Sequence, residues 1–324
     1  MADSTMKKFL KSKMFTLLLL LALLVIVVTI ATKGQFIALD NIKQILDQMF
    51  VTALLTIGAG MLLISGQIDL STGAVGTMSA LMFAFLMKNM SWPLLPAFLV
   101  ALVVSAAFGV INSALINELR FQGFIATMAM ASIAEGLAFV FTGGATVNLT
   151  NKIVAYIATG KFGGVVPISV VLLIVFFVVY GLILAKTKFG RCVYLVGGNP
   201  HAARLSGVNP KRISYILFVN SSILGALAGI LFAARIGNAT SNGIKTSQFS
   251  GITAAILGGI AFGGGAGGMG GAFVGLLILN TFSRGMLILH FDPYWQTVVS
   301  GLLLLAALTL DFLSNKSAMK SKTV

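Results

Sequence analysis

Long apolar runs are the feature that most constrains the fold of this chain. A helix needs about 20 mainly apolar residues to cross a bilayer, and we identify about ten such runs along the 324 residues. Charged residues make up only 9% of the sequence, far below the roughly 25% of soluble domains, so the chain cannot cover a water-facing surface. We therefore predict an all-α integral membrane protein. The predicted spans are about 14–32, 45–65, 71–87, 92–117, 122–142, 164–185, 213–235, 248–264, 270–289 and 294–311.

Three basic clusters set the expected orientation. They lie before the first span, between the sixth and seventh spans, and after the tenth. An even number of spans separates each cluster from the next, so all three lie on one side, which the positive-inside rule identifies as the cytoplasm. Topology therefore explains the net charge of +14 better than nucleic acid binding does. The expected parts are a cytoplasmic tail at 1–13, one membrane domain at 14–312 and a second cytoplasmic tail at 313–324.

Two glycine-rich stretches, 60–76 and 254–271, share one pattern of an apolar segment, a glycine break, a polar turn and a new helix. We expect them on spans of opposite direction, which is typical of an inverted repeat around a midplane pathway; the alternative is chance glycine richness. The third and eighth spans are short and glycine-interrupted, which predicts broken or partial helices. Residues 265–270 match G-x-G-x-x-G, but the membrane context favours close helix packing over nucleotide binding.

Asp69, Glu135 and Arg284 are charges in or beside apolar spans, where a charge is costly unless it is paired or hydrated. The simplest role of Asp69, together with Ser71, is to cap the third span; the alternative is a role in gating or in contact with a partner subunit. Glu135 and Arg284 lie at similar depth in the outer halves of spans five and nine. We hypothesise that they form a salt bridge beside the pathway, the alternative being that each snorkels or faces water alone.

Other polar side chains in the spans, Asn280 among them, are candidates for lining the path of a hydroxylated solute. Interhelical hydrogen bonding is the commoner use of such residues. The sequence has no paired catalytic carboxylates, no Ser-His-Asp set and no metal-ligand spacing. Its one cysteine excludes a multi-cysteine metal site, and its two histidines lie in different predicted loops on opposite sides, which argues against a histidine site. We therefore predict a protein that moves a solute, without a cofactor, rather than one that transforms it.

The stretch 187–213 is the longest that is not membrane-like, and it contains a short helix with both ends marked. Asn199 is a good N-cap, Pro200 suits the first helical position, and Gly207 supplies a left-handed C-terminal stop. We expect this basic helix to be contacted from the cytoplasm; the alternative is an ordinary positive loop. The residues of the helix and its caps are Asn199, Pro200, His201, Ala202, Ala203, Arg204, Leu205, Ser206 and Gly207.

The same loop, TKFGR followed by GGNPHAARLSG, closely resembles the cytoplasmic loop of ribose-type ABC importer permeases. The likeness extends over about residues 15–312. Three further motifs resemble those of the family: GQIDLS at 66–71 its G-G-I-D-L-S, FIAT at 124–127 its F-I-A-T-L, and the glycines of 257–267 its L-G-G…G-G-x-G.

This resemblance implies a permease subunit in the inner membrane of a bacterium, with both termini in the cytoplasm. Two permease chains, identical or sister, would form the channel, and an extracytoplasmic binding protein would deliver a monosaccharide such as ribose. Cytoplasmic ATPase subunits would dock on the helix at 199–207, which would then be a coupling helix. ATP hydrolysis would belong to those subunits, so the chain itself is not expected to be an enzyme.

Three positions depart from the family pattern. The family usually has a basic residue in place of Glu135, often has asparagine in place of Arg284, and has glutamate in place of Gln248. The first two changes fit the hypothetical salt bridge. Because both positions lie in the outward half of the membrane domain, the identity of the substrate stays open. Within the family, a nucleoside, an autoinducer-type sugar or a sugar alcohol is the alternative. In a different class, the alternative is a secondary transporter driven by an ion gradient.

Overall fold

The computed structural model describes residues 13–164 and 166–320, which form thirteen α-helices and very little sheet. The helices are α1 (Lys13–Ala31), α2 (Leu39–Ile64), α3 (Thr72–Lys88), α4 (Leu94–Asn117), α5 (Gly123–Thr142), α6 (Lys152–Thr159), α7 (Ile168–Lys186), α8 (Lys188–Gly198), α9 (Pro200–Leu205), α10 (Pro210–Ile236), α11 (Ser247–Leu257), α12 (Met269–Ile288) and α13 (Pro293–Lys320). A 3₁₀ turn (Gln35–Ile37) precedes α2, and short strands pair antiparallel as β1 (Val147–Asn148) with β4 (Asn238–Ala239) and β2 (Lys161–Phe162) with β3 (Val166–Pro167). Most of the predicted basic tail at 1–13 lies outside the described residues.

The helices confirm an all-α integral membrane protein. Within the described ranges, seven helices are long and apolar enough to cross a membrane, namely α1, α2, α4, α5, α7, α10 and α12. The third predicted span forms one unbroken helix of 17 residues. The eighth is interrupted as expected, because α11 has only 11 residues and α12 begins at Met269. Ten crossings stay a prediction.

The helix α10 lies at the centre of the bundle, where α2, α3 and α4 pack against it. Glycines let the backbones touch at these contacts. A Cβ added to Gly229 would lie 2.0 Å from the carbonyl oxygen of Gly76, and one added to Gly109 would lie 2.6 Å from Cα of Val219. Apolar side chains gain little from packing on each other instead of on lipid, so close backbone approach is a main source of helix association in a membrane.

The two glycine-rich stretches lie side by side on helices that run parallel. Leu55 of α2 contacts Gly251 of α11, and Gly60 lies beside Ala255, so the contacts advance in the same direction along both helices. The expectation of opposite directions was therefore wrong for this pair. Spans two and eight are both even-numbered, which means that they cross the membrane in the same sense. Both helices end at the face that carries α8 and α9, which we call the inner face because its basic residues predict that it is cytoplasmic.

An ion pair joins three helices at the opposite, outer face. Arg235, in the last turn of α10, donates from Nη2 to Asp47 Oδ2 over 2.6 Å and from Nη1 to the Asp47 carbonyl over 2.8 Å. Ser169, at the start of α7, donates its hydroxyl to the same carboxylate. The side chains of Arg235 and Asp47 are only 24% and 20% exposed, so most of the water around both charges is removed.

This burial makes Asp47→Asn a test of the fold. Removing one partner of a buried pair leaves an uncompensated charge, and we expect the free energy of unfolding to fall by roughly 2–4 kcal/mol. Glu118→Gln is the matched control, because Glu118 pairs with Lys211 at the same distance of 2.6 Å while half exposed, and exposed pairs contribute about 0–1 kcal/mol. The measurement is thermal unfolding of both variants in one detergent. Equal stability of the two variants would contradict the structural role of Asp47.

Candidate functional site

The predicted short helix is present as α9, with both caps formed. Oδ1 of Asn199 accepts hydrogen bonds from the N–H groups of His201 (2.9 Å) and Ala202 (3.0 Å). At the other end Gly207 has φ +80°, and its N–H donates to the Arg204 carbonyl over 3.0 Å. A helix of six residues is too short to be stable in isolation, so these caps and its packing hold it in shape.

One side chain of α9 anchors the helix to the membrane domain. Ala203 is 1% exposed and belongs to the main core cluster. The remaining side chains of α9 point into solvent, and Leu205 is 80% exposed. The helix therefore presents a free surface made by His201, Arg204 and Leu205 at the inner face.

A second helix, α8, precedes α9 and was not predicted. Thr187 caps it, since its Oγ1 accepts from the N–H of Gly190 over 3.1 Å. Val193 and Val196 face the core. A threonine cap followed by apolar residues at helical spacing was the signal in the sequence. The hydroxyl of Tyr194 donates over 2.7 Å to a backbone carbonyl of the connector between α11 and α12, so α8 also holds that connector.

Gly66, Gly197, Gly264 and Gly265 meet at the inner face, and we call this contact the glycine junction. A Cβ added to Gly197, near the end of α8, would lie 1.8 Å from the carbonyl oxygen of Ile64 in the last residue of α2. The N–H of Gly265 donates to that same oxygen over 2.8 Å. The α8–α9 unit, the end of α2 and the connector between α11 and α12 are thus in direct backbone contact.

Asp69 lies in the turn before α3 with 4% of its surface exposed. Its Oδ1 accepts from the N–H (2.8 Å) and hydroxyl (2.6 Å) of Ser71, and Asn112 Nδ2 donates to Ser71 Oγ over 2.8 Å. In the first turn of α3, the N–H of Gly73 donates instead to Oε1 of Gln248 over 2.8 Å. The Ser71 side chain therefore makes no capping hydrogen bond to α3: Asp69 holds the N-cap residue, and Gln248 from α11 accepts from the first turn.

The hypothetical salt bridge between Glu135 and Arg284 is wrong. Glu135 Oε2 lies 3.8 Å from Nζ of Lys245. Arg284 instead donates from Nε to Asn41 Oδ1 (2.5 Å) and from Nη2 to Gln44 Oε1 (2.6 Å). Depth along a helix does not determine which helices are neighbours: α5 packs on α3 and α4, whereas α12 packs on α1, α2 and α11.

Residues 41–308 match a protein family described as the permease component of branched-chain amino acid transport systems. The chain belongs to this permease family. Similar curated proteins include the ribose import permease of Bacillus subtilis (32% identical; 90% of each chain covered) and the D-allose permease of Escherichia coli (31%; 92% of this chain, 91% of the relative). The galactose/methyl galactoside import permease of Escherichia coli is 29% identical over 90% of this chain and 92% of its own. No solved structure matches significantly.

These similarities confirm the resemblance to ribose-type ABC importer permeases. The permease is accordingly a multi-pass protein of the bacterial inner membrane. The sequence did not indicate that Lys245 would face Glu135, because Lys245 lies in a segment expected to be an outer loop. Asn280 donates to the Leu276 carbonyl of its own helix over 2.8 Å, and its place on the solute pathway stays a prediction.

The glycine junction predicts different effects for two adjacent glycines of this permease. Gly197→Ala places a methyl group against the Ile64 carbonyl, so α8 must separate from α2, at a cost of roughly 1–3 kcal/mol or more. Gly198→Ala is the matched control, because a Cβ there meets no atom within 4 Å. We expect trypsin to cleave the lysine- and arginine-rich segment 186–212 faster in Gly197→Ala than in the wild type, and at the wild-type rate in Gly198→Ala. Equal cleavage of the two variants would show that the junction does not hold α8.

Proposed function

We propose that this chain is the permease subunit of an ATP-driven, binding-protein-dependent importer that moves a monosaccharide into the cell. The three sugar permeases named above are similar over about nine tenths of the chain. They favour a sugar over the amino acids named in the broader family description. The observation that carries the transport mechanism is α9, a capped helix with a free surface at the inner face.

Cytoplasmic ATPase subunits dock on this surface. A groove of about 670 Å³ runs beside α9 toward the turn between α4 and α5, and Arg120, Arg204 and Lys211 line it together with one carboxylate, Glu118. This excess of positive charge suits an acidic partner surface. Exposed Leu205 at the tip of α9 supplies the apolar anchor that interfaces usually need.

The glycine junction is the route from ATPase to pathway. Closure of the ATPases on ATP pushes α9, and α8 moves with it because the two helices are packed together. Gly197 then moves the end of α2 and the connector before α12, which are the two glycine-rich breaks. The termini are cytoplasmic in this arrangement, and an extracytoplasmic binding protein supplies the sugar at the outer face.

A second permease chain completes the pathway. Glu135, Lys245 and the hydroxyl-bearing residues near the start of α11 are partly exposed on one side of the described chain. At membrane depth such groups are costly against lipid. A second copy or a sister chain that covers this side encloses them around a water-filled passage. Asp69, Ser71 and Asn280 remain candidate pathway or gating residues.

The first test is co-purification of the ATPase with the permease from native membranes in mild detergent. Leu205→Asp and Arg204→Glu change exposed side chains of α9, and we expect each to reduce the recovered ATPase at least tenfold, since charge or size changes at interface anchors cost over 1.4 kcal/mol. Ala203 is not suitable, because it is buried and its substitution would disturb α9 itself.

Lys161→Glu is the control for this test, since Lys161 is exposed on the outer side of the domain. It should co-purify with wild-type amounts of ATPase. Absence of any stoichiometric ATPase from the wild-type preparation would contradict the ABC importer function and favour ion-coupled transport. If Leu205→Asp and Arg204→Glu both recover wild-type amounts of ATPase, the ATPase does not dock on α9.

A further inference from the structure

A cavity of about 260 Å³ lies between α3, α5 and the N-terminal end of α11. Its size is just below the range of about 300–1,000 Å³ that is usual for small-molecule sites. The segment 240–246 leads into it from the outer face, and the short helix α11 leads from it to the inner face. Leu70 of the GQIDLS motif and Gln248 also line the cavity.

The cavity lies near the middle of the membrane. With 11 residues, α11 extends about 16 Å, roughly half of the 30 Å hydrocarbon core. Its C-terminal end is at the inner face, so its N-terminal end is near the midplane. Glu135 lies about 18 Å along α5 from the inner end of that helix. Broken helices whose ends meet at this depth commonly form the solute sites of transporters.

The lining of the cavity includes an ion pair whose two charged groups lack close hydrogen-bond partners. Glu135 and Lys245 approach only to 3.8 Å, and their side chains are 37% and 35% exposed. In the Arg235–Asp47 pair, in contrast, the charged atoms are 2.6 Å apart and both side chains are more deeply buried. The looser pair leaves carboxylate lone pairs and ammonium N–H groups unused, although both groups are at a depth where lipid cannot solvate them. A polar ligand in the cavity would satisfy them.

Apolar residues complete the lining of the cavity. Ala74, Met128 and Ala131 contribute to it, together with Phe249, which is 51% exposed. A monosaccharide has hydroxyl groups at its edge and C–H groups on its ring faces, so it matches a lining that has both polar and apolar groups. The charges of Glu135 and Lys245 cancel, which favours a solute without net charge, because a charged solute would leave one member of the pair uncompensated.

We propose that this cavity is a solute site that binds one neutral monosaccharide during its passage. Glu135 accepts a hydrogen bond from one hydroxyl, Lys245 donates to a neighbouring hydroxyl or ring oxygen, and the aromatic ring of Phe249 contacts the C–H face. This inference rests on the proposed function and adds the residues that recognise the sugar inside the permease.

The test is direct binding to the full-length permease in lipid nanodiscs, measured by saturation-transfer NMR. The probes are D-ribose, D-allose, D-galactose and, as a zwitterion, L-leucine. We expect at least one aldose to bind. L-leucine also has no net charge, and its ammonium and carboxylate groups complement Glu135 and Lys245, so it is the probe of the competing solute class. Glu135→Gln and Lys245→Gln should each weaken aldose binding about tenfold or more, as expected for loss of a hydrogen bond to a charged group. Asp40→Asn and Lys152→Gln are the charge-matched controls on exposed outer residues and should bind within twofold of wild type.

A charge-swapped double variant, Glu135→Lys with Lys245→Glu, separates recognition from folding. It keeps an ion pair, so its melting temperature should stay near that of the wild type, while the exchange of donor and acceptor should still weaken aldose binding. If this folded double variant binds the aldose as tightly as the wild type does, the pair has only a structural role and the proposal is overturned. Binding of L-leucine in place of every aldose would overturn the solute class.

The ATPase co-purification experiment distinguishes failure of the site from failure of the function. If the ATPase co-purifies and cells with the intact importer take up an aldose, but Glu135→Gln and Lys245→Gln bind it like the wild type, only the site is wrong. If no ATPase co-purifies and no aldose binds to the wild type, the proposed function fails as well.

Discussion

Hydrocarbon offers no hydrogen bonds to a backbone, and this constraint decides how the two halves of the chain meet. The segment before α11 enters the bundle without helical structure, so protein groups must replace water along it. Thr77 Oγ1, on α3, accepts from the N–H of Ile244 over 3.1 Å, and Gln248, on α11, accepts from the N–H of Gly73 on α3 over 2.8 Å. Each element thus satisfies a backbone group of the other, and neither α3 nor the start of α11 is stable at this depth alone.

The half-length helix that results explains both the polar interior and the glycine content. Because α11 begins near the midplane, there is room beside its first turn for Glu135, Lys245 and a solute. Because α2 and α11 run parallel and end together, their following turns meet at the inner face, where a Cβ on Gly264 would lie 2.8 Å from Cα of Gly66. The glycines of the two similar stretches therefore serve contact between the stretches, and no inversion relates this pair.

The sequence predicted the elements well and their neighbours poorly. Apolar runs place the spans within a few residues, and Asn199 and Gly207 predict α9 because a cap depends only on residues next to it. The partners of Glu135 and Arg284 depend on which helices pack together, which neither depth nor charge determines. Helix α8 was not predicted because the basic residues of its segment are typical of a cytoplasmic loop and obscure its apolar spacing. The role of Gln248 joins residues 175 positions apart, which no local pattern indicates.

The glycine junction has a mechanical consequence. Side chains absorb small displacements by changing rotamer, but Gly197 and the Ile64 carbonyl touch without any side chain between them. A shift of α8 therefore cannot be absorbed between the two helices. It either displaces α2 or breaks the hydrogen bond that the N–H of Gly265 donates to the Ile64 carbonyl. Because this contact is rigid, α9 at the inner face and the pathway inside the membrane domain move together. States in which α9 has moved but the pathway has not should therefore be short-lived.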